Sequence, residues 1–268
     1  MIHLCQRARA SCGACCGLYA RTDQGREVAT AELWRRTRRL ARTERTEAAF
    51  RQAAAELSAE GPEALFPSVK ICPLLGFLDA AGTRVGCLAH PLTTGGFDLR
   101  QCGTYDVTTC ESFLCRSHAF LDEEEAQLAE AAGDWYLYGL VVTDVRFLRA
   151  VLAAVAMRTG EEVELRHLDH PPFRRALGAL LEVKELLEPG SDGLFGAFRP
   201  GRAGEPRPRR TDHEAQARAG APHDLVLASL GADPRSGNDL DALEGEVRRR
   251  LDACAAAFGP SPRPVGRR

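Results

Sequence analysis

The chain contains no run of about 18 or more apolar residues, so no membrane-spanning helix is expected. Residues 1–20 also lack the apolar segment of 7 to 15 residues that a secretory leader needs, and carry Arg7 and Arg9 instead. A cytoplasmic, reducing setting is therefore expected. Lysine is nearly absent: among 35 basic residues only Lys70 and Lys184 are lysines. Aromatic residues make up 6% and the formal net charge is −2, which gives no general attraction to nucleic acid or anionic lipid. The arginine run of Arg35, Arg36, Arg38, Arg39, Arg42 and Arg45 has no interleaved aromatics and reads as a solvated helix face, not a phosphate-binding one. No nucleophile-elbow serine, phosphate-binding glycine loop or HExxH occurs, and Gly76, Gly82, Gly86, Gly95 and Gly96 do not form a dinucleotide fingerprint.

Cysteine is what the chain does have. Nine of its ten cysteines lie between Cys5 and Cys115, and the remaining one is Cys254. In a reducing compartment, clustered thiols indicate metal or redox chemistry before disulfides. The densest run is Ser11-Cys12-Gly13-Ala14-Cys15-Cys16-Gly17. Two cysteines separated by two residues can turn both sulfurs toward one ion, and Gly13 permits a tight backbone between them. Side chains of neighbouring residues diverge, so Cys16 serves a second metal, bridges two metals or points into the core. Cys72, Cys87, Cys102, Cys110 and Cys115 follow in loop-like contexts, with His90 and His118 three residues beyond Cys87 and Cys115. The spacing excludes the radical-type three-cysteine motif, whose first position is Ala8 here, and bacterial ferredoxin spacing is absent. A zinc ribbon is not matched either, because four residues separate Cys110 and Cys115.

The segments Cys12-Gly13-Ala14-Cys15-Cys16, Cys72-Pro73-Leu74-Leu75, Gly86-Cys87-Leu88-Ala89-His90-Pro91 and Cys110-Glu111-Ser112-Phe113-Leu114-Cys115 together resemble the YkgJ-type cysteine-cluster family, described as a zinc- or iron-chelating domain. The resemblance covers roughly residues 5 to 118. Three departures stand out: Arg9 occupies the first cysteine position of the family's opening run, His90-Pro91 replaces an Arg-Pro pair, and the stretch from Pro91 to Cys110 is longer and holds Cys102. The resemblance implies chelation of zinc or iron by Cys12, Cys15, Cys16, Cys72, Cys87, Cys110 and Cys115, with Cys5, Cys102, His90 and His118 as further candidates. Four thiolates suit a zinc ion and a 4Fe-4S cluster equally, so the cofactor stays open, as does one site versus two.

Around this cluster the pattern predicts a mainly α protein with irregular loops: a metal-stabilised domain over residues 1–120, a helical region over 121–195, a flexible linker over 196–222 and a helical segment over 223–268. One long helix is expected from Thr30 to Glu60, ended by Gly61-Pro62. Short strands or turns are expected near Val69–Ile71 and Thr83–Val85. Asp122 to Glu125 opens a helix; Thr143 or Asp144 caps the next, and another runs from Pro172 to Leu187, closed by Pro189-Gly190. The Gly-, Pro- and Arg-rich linker cannot bury enough surface to fold. Asp239 to Phe258 reads as amphipathic, with Leu240, Leu243, Val247, Leu251 and Ala255 on one face and Cys254 as a small buried hydrophobe. His167-Leu168-Asp169-His170 reads as a polar turn before Pro171, and Trp135-Tyr136-Leu137-Tyr138 as core or interface. The expected function is metal binding with a structural, sensing or redox role. The alternatives are an iron-dependent enzyme that modifies a protein or peptide, and a zinc-shaped module whose C-terminal helices bind a protein partner.

Overall fold

The computed structural model describes residues 4–22, 25–66, 69–186, 198–200, 206–208, 221–230 and 237–258. These are mainly helical, and the strands are short. Helices α1 (Arg26–Ala41) and α2 (Glu47–Ala59) lead into a two-stranded antiparallel pair, β1 (Leu75–Phe77) with β2 (Val85–Cys87), in the register Leu75 to Cys87, Gly76 to Gly86 and Phe77 to Val85. Short helices α3 (Pro91–Thr94), α4 (Val107–Ser112) and α5 (Ser117–Phe120) follow. The longer ones are α6 (Glu123–Ala129), α7 (Trp135–Thr143), α8 (Val145–Thr159), α9 (Pro171–Leu181), α10 (Pro222–Leu230) and α11 (Gly237–Ala256). Among the described residues no helix is long and apolar enough to cross a membrane.

The expected helix over residues 30–60 is two helices. The apolar positions Ala29, Leu33 and Leu40 keep helical spacing into the break, so periodicity alone does not register it. Thr46 makes the new start, its hydroxyl accepting the Ala49 N–H at 3.3 Å. Thr30 is not a cap; it lies inside α1 and donates its hydroxyl to the Arg26 carbonyl. Of the two pieces expected as short strands or turns, Val69–Ile71 is irregular, and Thr83–Val85 leads into β2, which pairs with Leu75–Phe77.

Sequence and structure agree at the later caps. Asp122 and Glu125 form a reciprocal capping box at the start of α6. Asp144 caps α8 by accepting the Phe147 N–H at 3.0 Å. The α9 helix starts at Pro171 and its last turns tighten to a 3₁₀ form over Glu182–Glu185; Pro189 and Gly190 lie outside the described residues. Most of the expected linker over 196–222 also lies outside them, but Phe198–Pro200 pairs antiparallel with Pro206–Pro208, and Pro222 already begins α10. Leu165–Asp169 forms a 3₁₀ turn in which the His167 ring packs against Phe173 and Phe258.

One core unites the early cysteine loop with the later helices. Leu4, Cys12, Leu18 and Tyr19 pack with Phe77, Val85 and Trp135 through Val142, and onward to Phe147, Leu177, Val226, Val247, Leu251 and Cys254. Helix α7 is apolar on every side and is buried from Trp135 to Val142, as such a helix must be. Polar anchors fix the cysteine loop to it. The Tyr138 hydroxyl donates to the Leu4 carbonyl at 2.8 Å, the Tyr19 hydroxyl to the Tyr136 carbonyl at 2.8 Å, and buried Arg7 pairs with Glu123 and Glu130. A second, smaller core under α1 and α2 holds Leu40, Phe50, Ala54, Leu57, Cys72, Leu74, Leu99 and Cys102.

Candidate metal centre

The Cys12–Cys16 run sits where the two cores meet. A bridge between Gln6 and Ser11 closes the first turn, and the Cys12 N–H donates to the Cys5 carbonyl at 3.0 Å. The buried Ser11 hydroxyl accepts the Val85 N–H at 2.8 Å, which pins the run to β2. Ala14–Cys16 then makes one 3₁₀ turn, closed by Gly17 in the left-handed region at φ +83°. The Cys72 N–H donates to the Cys16 carbonyl at 2.9 Å, so the second cysteine segment is hydrogen-bonded to the first. Cys87 ends β2 directly opposite Leu75, three residues beyond Cys72. Cys110 lies in α4, and Cys115 in the turn before α5, where its carbonyl accepts the His118 N–H.

The sulfurs meet accordingly. Cys15 is hydrogen-bonded to both Cys115 and Cys5, and these bonds raise its thiol pKa strongly. Held by the Cys15 thiol, Cys115 moves the other way, to about 5, with His118 adding a favourable charge. Burial raises the Cys12 thiol, and Cys5 and Cys115 act on it in the same direction. Cys16 is raised by burial and then by its proximity to Cys72, Cys87, Cys5 and Cys110. Cys87 is pushed up to about 12 by burial, with Cys72 and Cys110 nearby, and Cys110 is raised by burial and by Cys72. Cys12, Cys15, Cys16, Cys87 and Cys110 are thus held toward the protonated thiol, since adjacent thiolates repel and desolvation disfavours each charge, while Cys115 is held toward the thiolate.

The other candidates divide. Cys5 lies with Cys12 and Cys15. Cys102 does not join the group: its sulfur faces the Glu47 carbonyl at 3.5 Å, and its charged surroundings are Arg51 and Glu47. His90 caps α3, its Nδ1 accepting the Leu92 N–H at 3.2 Å. Cys254 is buried on the apolar face of α11. Sequence reasoning passed over Arg100, a buried guanidinium paired with Asp98 at 2.5 Å and Glu111 at 2.7 Å, whose charge eases ionisation of Cys87 and Cys110. It also treated Arg36 as part of a solvated face. Arg36 is buried, pairs with Glu32 and donates to the Cys72 carbonyl at 3.0 Å, bracing the second cysteine segment against α1. Of the remaining arginines in that run, Arg35 pairs with Glu32 and Glu60, and Arg39 with Glu56.

Among the described residues no disulfide joins these cysteines, and no group of three or more His, Cys, Asp or Glu side chains stands ready to hold an ion as it is. The thiols instead hydrogen-bond or lie close to one another. The donor chemistry fits zinc or an iron–sulfur centre, both of which take four thiolates.

Gly17 fixes this arrangement and gives a direct test. A Cβ there would lie 2.4 Å from the Lys70 carbonyl oxygen and 2.8 Å from the Ile71 Cα, on backbone that cannot yield easily. The left-handed conformation alone costs a non-glycine residue about 1–2 kcal/mol. Gly17→Ala is expected to destabilise the chain by at least that much in urea unfolding and to separate Cys16 from Cys72. Wild-type stability in that variant would contradict the assigned turn.

Comparison with known protein families, with curated proteins and with solved structures gives no match for this chain.

Proposed function

We propose that this protein binds zinc or an iron centre through cysteine thiolates supplied by residues 5–118. The metal would serve a structural, sensing or redox role. The observation that carries the reading is the meeting of four separated chain segments at their cysteines: the Cys5–Cys16 loop, Cys72, Cys87 and the Cys110–Cys115 stretch. A core that needed only small apolar residues would have no reason to gather thiols preferentially. Cys102 and Cys254 differ: the charges that act on Cys102 are Arg51 and Glu47, and burial alone acts on Cys254. The resemblance to the cysteine-cluster family points the same way.

Metal analysis of protein purified without oxygen, read beside the visible spectrum, tests this. A colourless protein retaining zinc supports a structural or interaction role. A brown protein containing iron and sulfide supports redox work or the iron-dependent enzyme. Protein that carries neither metal and takes up neither on addition refutes the reading.

A further inference from the structure

We propose that the thiols form two separate four-sulfur metal sites, one from Cys5, Cys12, Cys15 and Cys115 and the other from Cys16, Cys72, Cys87 and Cys110, divided by the Cys15–Cys16 peptide bond. This rests on the metal-binding reading and fixes its stoichiometry and ligands. The first ground is local geometry. Cys15 and Cys16 occupy one 3₁₀ turn, where consecutive side chains point roughly 120° apart because each turn takes about three residues. Their sulfurs therefore leave different faces of the same short segment, which disfavours their meeting at one ion.

The second ground is which sulfurs lie together. Cys15 bonds to Cys5 and Cys115, while Cys12 lies near Cys5 and Cys115. On the other side, Cys16 lies near Cys72, Cys87 and Cys110, and those three lie near one another. The two sets adjoin: Cys16 also lies near Cys5, and Tyr105 is acted on by Cys15 together with Cys16, Cys72 and Cys110. The third ground is packing, which is independent of charge. Cys12 belongs to the larger core and Cys115 packs against it; Cys72 belongs to the smaller core and Cys87 packs against that. Cys16 touches both cores, as a residue on the dividing wall should. Zinc in structural sites takes four ligands, so eight thiols match two ions and leave none spare. Each ion would displace the thiol protons of its set and form four metal–sulfur bonds, with no change in oxidation state.

The test uses the full chain loaded with zinc alone under reducing, oxygen-free conditions. Zinc is counted per chain, and each cysteine is scored for protection from alkylation by mass spectrometry. The wild-type chain is expected to hold two zinc ions and to protect both sets, with Cys102 and Cys254 unaffected by zinc. Cys115→Ser should hold one, exposing Cys5, Cys12 and Cys15 while Cys16, Cys72, Cys87 and Cys110 stay protected. Cys110→Ser should give the converse. Because either variant could lose its fold, Cys5→Ser and Cys87→Ser repeat the comparison, and the wild-type count stands apart from all of them. One zinc per chain, or loss of protection in both sets from every single substitution, overturns the partition while leaving metal binding intact. No zinc at all overturns both.

Discussion

Replacing Lys184 with methionine should destabilise the chain by about 3–5 kcal/mol, the usual cost of removing one partner from a buried ion pair. Lys184 is 1% exposed, and its Nζ lies 2.7 Å from the Asp144 Oδ2 and over the Phe147 ring at 5.1 Å. Asp144 also caps α8 through its other oxygen, so one side chain orients two elements: the 3₁₀ turn after α9 and the start of α8. Methionine keeps the length and volume of the stem, so little of the loss comes from packing. What remains is a largely buried carboxylate with one backbone N–H as partner. The double variant Lys184→Met with Asp144→Asn should recover much of the stability, because asparagine still caps a helix and carries no charge. Urea unfolding of the single and double variants measures this. A loss below about 1 kcal/mol for Lys184→Met would place the pair with ordinary surface ion pairs.

That pair also shows how much the chain disclosed before folding. The scarcity of lysine was visible, but nothing local distinguished Lys184, at the end of an amphipathic helix, from a solvated cation. Its partner lies 40 residues earlier. The caps at Asp122 and Asp144 and the buried face of α11 were legible because each depends on neighbours within one or two turns. The break between α1 and α2 was not: its apolar spacing survives the interruption, and a Thr46 cap looks like any threonine in a polar stretch. Strands of three residues are too short to show an alternating pattern, so β1 was missed and β2 was touched only at Val85. Among the site candidates, the clustered thiols were legible by type and number. Their grouping was not, since spacing along the chain cannot say that Cys115 meets Cys15 while Cys110 goes to Cys16. Cys5 and Cys102 looked alike in sequence. The backbone bond from Cys12 to Cys5 draws one in, and the packing under α2 takes the other out.

Metal removal should produce the largest change of all, and its dependence on free metal reports how many ions hold the fold. The cysteine loop contributes Leu4, Cys12, Leu18 and Tyr19 to the same core as α7 and α8, so loss of a metal held there as proposed should loosen the main body as well as the loop. If each ion binds only the folded chain, its stabilisation grows as RT ln(1 + [L]/Kd) once free metal exceeds Kd. Each tenfold rise in free zinc then adds about 1.4 kcal/mol for one site and about 2.7 kcal/mol for two independent sites, since a factor of ten is worth about 1.4 kcal/mol. For a domain of this size about 1 kcal/mol moves Tm by roughly 2–4 °C, so the two cases differ as about 3–6 °C against about 5–11 °C per decade. Buffered zinc, with thermal unfolding followed by circular dichroism at each concentration, separates them. The steeper dependence is expected for the wild-type chain, and the shallower one for Cys115→Ser and Cys110→Ser alike. A Tm independent of free zinc would mean that the thiols meet without any ion stabilising the fold, and the case for a structural metal would end there.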